Sequence, residues 1–101
     1  MPNRVLIIDD DPELCALMKK CVVQEGLEAD IAYNGKDGLA RISERNDTYC
    51  LVILDVMLPG MNGFQVLSEI RKNSMVPVLM LTAKGDEVDK VTGLRLGADD
   101  I

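Results

Sequence analysis

Short apolar runs alternate with amphipathic stretches from one end of the chain to the other, and few architectures accommodate that order. RVLIID at 4–9, CLVILD at 50–55 and VLMLT at 78–82 are near-continuous aliphatic runs. Runs of that length and composition predict strands covered on both faces. Residues 27–33 alternate instead, with Leu27, Ala29, Ile31 and Tyr33 on one side, which predicts a strand nearer a sheet edge.

Between the strands the apolar spacing becomes helical. Asp11 reads as an N-cap with Pro12 in the first helical position and Glu13 at the positive end of the helix dipole. Leu14, Leu17, Met18, Cys21 and Val22 then recur at helical spacing until Gly26 stops the helix. Asn34 caps a second helix carrying Leu39 and Ile42. A third runs over 63–72 with Phe64, Leu67 and Ile70 on one side. A fourth covers 86–96, with Val88, Val91 and Leu94 in a stripe and Gly97 as its C-terminal cap. The order βαβαβαβα predicts an α/β fold: a parallel sheet, right-handed crossovers and helices on both faces. In such sheets ligands sit beyond the carboxyl ends of the strands, where the strand order reverses.

A chain of 101 residues suits one domain, and with 48% apolar but only 3% aromatic residues its core must be aliphatic. The net charge is −6, from 17 acids against 11 bases, which argues against this segment gripping nucleic acid. No apolar run reaches the ~18 residues a membrane span needs. The N-terminus enters a strand with no basic leader, so no secretory signal is expected and a cytoplasmic location is. Cys15, Cys21 and Cys50 form an odd set without CxxC spacing in a chain lacking histidine. They read as packed thiols rather than a disulfide or zinc set.

The polar residues closing the strands carry the chemistry. Asp9 and Asp10 follow the first strand, Asp55 the third and Thr82 the fourth. If the first and third strands are neighbours, three carboxylates converge at one rim, and one must protonate unless a cation compensates. Oxygen-only ligation with room for water and phosphate favours Mg²⁺ over zinc. Taken singly, each residue has a plainer use. Asp9, Asp10 and Asp11 suit a strand running into a helix cap, Asp55 a turn, and Thr82 a satisfied hydroxyl. Their joint placement argues for a site. Pro59-Gly60 and Gly63 would let the loop after Asp55 turn tightly, as an ordinary strand-to-helix turn also requires.

Taken together, VLIIDDDPEL, LVILDVMLPGMNGF and PVLMLTAKGDEVDKVTGLRLGADD resemble the receiver domain of two-component response regulators, most of all its OmpR/PhoB branch. The resemblance covers nearly the whole chain in order and spacing. It implies a flavodoxin-like fold of the CheY type with strand order 2-1-3-4-5. It implies that Asp55 accepts phosphate from the phosphohistidine of a sensor histidine kinase, making an acyl phosphate. By the same match Asp10 and Asp55 bind Mg²⁺ directly, Asp9 does so through water, the backbone carbonyl of Met57 supplies a further ligand, and Thr82 contacts the phosphoryl group. Met57 and Lys84 would shape water access to that group. The implied role is a phosphorylation switch regulating transcription, not a turnover enzyme.

The family pattern continues beyond Ile101 with a fifth strand, a Lys-Pro pair and a fifth helix. The expectation is therefore a receiver spanning 1–101 with sheet order 2-1-3-4, its fifth strand and helix missing and no output domain included. Ile101 stands where the family carries an aromatic switch residue. Lys90, Arg95, Asp99 and Asp100 fall on the branch's charged dimerisation face, and equally suit a solvated helix surface. A bare fourth strand invites pairing with another chain, so a homo-oligomer, formed by strand or segment exchange, is expected. Two rival chemistries fit less well. A flavodoxin needs a Ser/Thr/Gly-rich first loop where this chain has three acids, and an aspartate-nucleophile phosphotransferase needs a second acid where Met57 stands. A non-signalling interaction module that keeps the acids is the alternative reading.

Overall fold

The computed structural model describes residues 3–44 and 48–81. Within them the chain runs β1 (Arg4–Ile8), α1 (Pro12–Gln24), β2 (Glu28–Ala32), α2 (Gly35–Glu44), β3 (Tyr49–Asp55), α3 (Gly63–Asn73) and β4 (Val78–Leu81). The strands pair in parallel in the order β2-β1-β3-β4. This is the predicted flavodoxin-like α/β arrangement, with strand order reversing at β1. Thr82 and the helix expected over 86–96 lie outside the described residues.

Local chemistry explains the boundaries. The Asp11 carboxylate accepts from the amides of Glu13 and Leu14, and Pro12 starts α1 where an amide hydrogen would have no helical partner. At the far end Gly26 takes φ +83°. Its amide bonds to the Val23 carbonyl while Leu27 reaches back to Val22, a Schellman closure. Asn34 caps α2 by accepting from the Asp37 amide at 2.8 Å. Asn62 and Gln65 bond each other's backbone in a capping box at the start of α3.

The sheet separates two apolar clusters. Leu6, Ile8, Val52, Leu54, Val78 and Met80 face α2 and α3, meeting Val66, Leu67 and Ile70. Val5, Ile7 and Ala29 face α1 and its buried Cys15. Alternate residues of β1 thus serve opposite layers, as the pleat requires. In β3 the alternation is interrupted: Arg4 pairs with Tyr49 but Val5 with Leu51, so Cys50 is an extra residue. Cys50 and Leu51 both lie on the α1 side. The interruption is a β-bulge.

Two expectations need correction. The helical spacing put Leu14, Leu17, Met18, Cys21 and Val22 on one stripe of α1; Met18 and Val22 do pack on the sheet, together with Cys15, but Leu14, Leu17 and Cys21 are exposed. Leu17 is 59% exposed. Apolar residues spread over much of the α1 surface, so spacing leaves its roll undetermined. The short turn from β1, and the Cys15 thiol donating to the Asp9 carbonyl at 3.3 Å, decide it. Tyr33 lies past the end of β2 and is exposed, because the chain leaves the sheet there for the Asn34 cap.

At the amino ends of the strands a polar clasp joins three of them. Asp30 of β2 accepts from Arg4 of β1 at 2.8 Å and from the hydroxyl of Tyr49 of β3 at 2.6 Å. The more exposed Arg4–Glu28 contact contributes little by comparison. Hydrogen bonds to a charged group are worth about 1.5–3 kcal/mol. Tyr49→Phe, which keeps the ring in the core, is expected to lower the unfolding free energy by ~1–2 kcal/mol in urea titration. An unchanged midpoint would show the clasp to be idle.

Candidate functional site

The strand order brings the predicted acids together. Ile8 is level with Leu54 in the β1–β3 pairing, so the next residues, Asp9 and Asp55, emerge side by side. The Asp9 amide bonds to the Ala32 carbonyl at 3.1 Å, extending the sheet one step at its carboxyl rim. Carboxylate oxygens of Asp9, Asp10 and Asp55, one from each, lie within 4.8 Å of one another. They border an open depression whose other walls are Asp11, Leu14, Met57 and Leu81.

Each acid is held differently. Asp9 is 3% exposed and accepts the Asp11 amide at 3.0 Å through Oδ1. Asp10 is exposed. Asp55 is half-buried and its Oδ1 accepts the Met57 amide at 3.1 Å. Asp11 belongs to the helix cap, where its carboxylate is already engaged. The acidic triplet therefore divides into two site residues and one structural residue.

Electrostatics follows from that placement. Burial lifts the Asp9 carboxyl above its ordinary value. The amide of Asp11 opposes the shift, and the charges of Asp10 and Asp11 add to it. Burial also lifts Asp55, eased by the Met57 amide and raised again by Asp9 and Asp10. The Cys15 thiol beneath them is pushed up to about 11, first by burial and then by the surrounding acids, so it stays protonated. Three oxygen donors with no base among the described residues that line the depression fit a hard divalent cation, whose charge would relieve the repulsion. A zinc site would call for nitrogen or sulfur donors, which this set lacks.

Two contributors escaped the sequence reading. Leu14, assigned to the core, instead walls the depression, and only the roll of α1 could have revealed it. Cys15 was read as a packed thiol; it also tethers the Asp9 carbonyl. Met57 also lines the depression. Thr82 lies outside the described residues, and follows directly on Leu81 in the chain.

Comparison with known proteins gives a consistent result. A family model for the response regulator receiver domain matches residues 5–101. The CpxR homolog of Haemophilus influenzae, a transcriptional regulatory protein, is 48% identical over 98 residues, covering 97% of this chain and 42% of that protein. The chain spans about two fifths of the length of the curated relatives it matches. Among solved structures, a putative response regulator from Chloroflexus aurantiacus superposes with TM-score 0.90 at 32% identity, over 99% of this chain and 83% of that one. The chemotaxis protein CheY4 of Vibrio cholerae gives 0.91 at 27% identity, over 99% and 84%.

Without metal, Asp9 and Asp55 are harder to ionise folded than unfolded, so the folded chain holds more protons. The resulting penalty is absent below the ordinary value of 3.8, grows as pH rises through the raised values and is complete above them. Asp55→Asn is therefore expected to raise the thermal midpoint in chelator at pH 7, by roughly 4–8 °C per kcal/mol relieved. The gain should shrink as pH falls towards 4. Circular dichroism melts on both proteins test it, and a lower midpoint for the variant at pH 7 would contradict it.

Proposed function

This chain belongs to the response regulator receiver family, and from that membership we propose that Asp55 is the phosphoacceptor of a two-component switch, served by Mg²⁺ at Asp9 and Asp10. The observation that carries the reading is the meeting of three carboxylates, with oxygens within 4.8 Å, at the rim where β1 and β3 end. Receiver domains bind Mg²⁺ in an acidic pocket, and this trio has the donor chemistry for it.

In the proposed reaction a carboxylate oxygen of Asp55 forms a bond to phosphorus. The bond from phosphorus to the donor's imidazole nitrogen breaks, and that nitrogen keeps the electron pair. A carboxylate is a weak nucleophile, so orientation and charge neutralisation must carry the transfer. A bound Mg²⁺ supplies that neutralisation at the phosphoryl oxygens. The chain's own groups do the rest. Asp9, Asp10, Asp55 and the Met57 carbonyl would hold the ion, while the Met57 amide fixes the plane of the Asp55 carboxylate through Oδ1. The β3–β4 ladder ends beneath it, at the pair of Asp55 with Leu81. Thr82 would contact the phosphoryl group and report its arrival, since phosphorylation adds about −1.5 to −2 charge. The donor would be a sensor histidine kinase, and the output would be control of transcription, as the relatives' description as transcriptional regulators supports.

Acetyl phosphate with Mg²⁺ is expected to add one phosphoryl group to the chain by intact-mass spectrometry. Asp55→Asn or chelation should abolish the adduct, and Asp9→Ala with Asp10→Ala should slow it by roughly the 10²-fold that misplaced transition-state groups cost. Thr82→Ala should leave an adduct but mute the accompanying amide chemical-shift changes. An unmodified wild-type chain would leave the interaction-module reading, and an adduct on Asp55→Asn would move the site elsewhere.

A further inference from the structure

Asp55 is flanked on its helical side by a residue that has no side chain. Gly63, buried as the first residue of α3, lies so close to the end of β3 that a Cβ built on it would stand 2.3 Å from the Asp55 carbonyl oxygen. The same atom would be 2.7 Å from the Val56 Cα and 3.0 Å from the Asp55 carbonyl carbon. All three neighbours are backbone, so no rotamer change relieves the contact. Nor does Gly63 need its freedom for a turn: it sits in a helix, whereas Gly60 in the preceding loop takes φ +76°. The tight turning expected of both glycines belongs to Gly60 only, and Gly63 is required by close approach.

We propose that Gly63 is a positioning residue: its bare backbone, packed on the Asp55–Val56 peptide, aims the Asp55 carboxylate at Asp9 and Asp10. The inference rests on the phosphoacceptor reading above. Val56, which shares that peptide, is held at both its amide and its carbonyl. The Gly63 amide donates to the Val56 carbonyl at 2.9 Å, and the Val56 amide donates to the Leu81 carbonyl at 3.1 Å. The first bond also closes the loop that carries Met57. An added methyl needs an ordinary contact near 3.5 Å, so something must retreat by roughly 1 Å. The helix cannot easily do so, because its capping box and the fully buried Val66 and Leu67 hold it down. Asp55, in the last pair of the β3–β4 ladder, is the softer partner. Mg²⁺ demands ligands near about 2.0–2.1 Å in octahedral geometry, so a displacement of that size disables the site rather than detuning it.

The test compares the 101-residue chain with three variants, reading the Mg²⁺ dissociation constant by calorimetry and foldedness by amide spectra. Asp55→Asn addresses the functional reading itself. Ile70→Ala hollows the buried face of α3 without pushing on Asp55, and Gly63→Ala pushes. Wild type is expected to bind Mg²⁺ and Asp55→Asn to lose most of that binding. Ile70→Ala should melt earlier yet keep its dissociation constant within twofold, and Gly63→Ala should bind at least tenfold more weakly while folded. A folded Gly63→Ala with wild-type affinity overturns the role of Gly63 and leaves the functional reading standing. If wild type does not bind Mg²⁺, the functional reading falls and this inference with it. Should Gly63→Ala fail to fold, Asn62→Ala with Gln65→Ala unfastens the same helix start without adding atoms. That pair is expected to weaken Mg²⁺ binding severalfold, and unchanged affinity overturns the proposal equally.

Discussion

Parallel pairing of β1 with β3 sets Ile8 opposite Leu54, and every property of the acidic rim descends from that register. The next residue on each strand is an aspartate, so two carboxylates are delivered side by side and Asp10 adds a third. The bulge at Cys50 is part of the same constraint. Counted without it from the Arg4–Tyr49 pair, Leu54 rather than Asp55 would stand level with Asp9, and β3 would turn its aliphatic residues to the wrong layers. The apolar faces thus enforce the register, and the register places the acids. Core packing and site geometry are one problem in this chain.

Such a rim is costly to a metal-free fold. Burial and mutual repulsion both disfavour the ionised forms of Asp9 and Asp55, and the few backbone amides turned towards them offset only part of that. The rest of the molecule has to carry the difference. It does so with two apolar layers on a four-stranded sheet, with well-capped helices, and with the Arg4–Asp30–Tyr49 clasp at the opposite end. Among the described residues no buried polar side-chain atom lacks a hydrogen-bond partner. The strain is confined to the place where a cation and a phosphoryl group would use it.

Much of this was legible in the chain beforehand. Alternating strand and helix periods, caps at Asp11 and Asn34, and the stop at Gly26 are local events governed by a few neighbouring residues. The acids at strand ends were legible for the same reason, because where a strand stops is largely a local matter. Other features were not. The roll of α1 escaped because its apolar residues ring more than one face, and the clasp escaped because Arg4, Asp30 and Tyr49 are far apart in sequence. The reason for glycine at 63 escaped because its neighbour is the backbone of Asp55, reached only when α3 folds back on β3.

Sequence by itself determined which residues become strands and helices, which end in carboxylates, and hence the chemistry available: hard, oxygen-rich and anionic. Periodicity and capping act over a single turn or pleat, so they survive without knowledge of the whole. Tertiary structure decided which acids meet, which one is only a cap, and how close α3 comes to the peptide of Asp55. Those outcomes depend on strand order, register and helix roll, and each is settled by contacts between segments that no local rule connects.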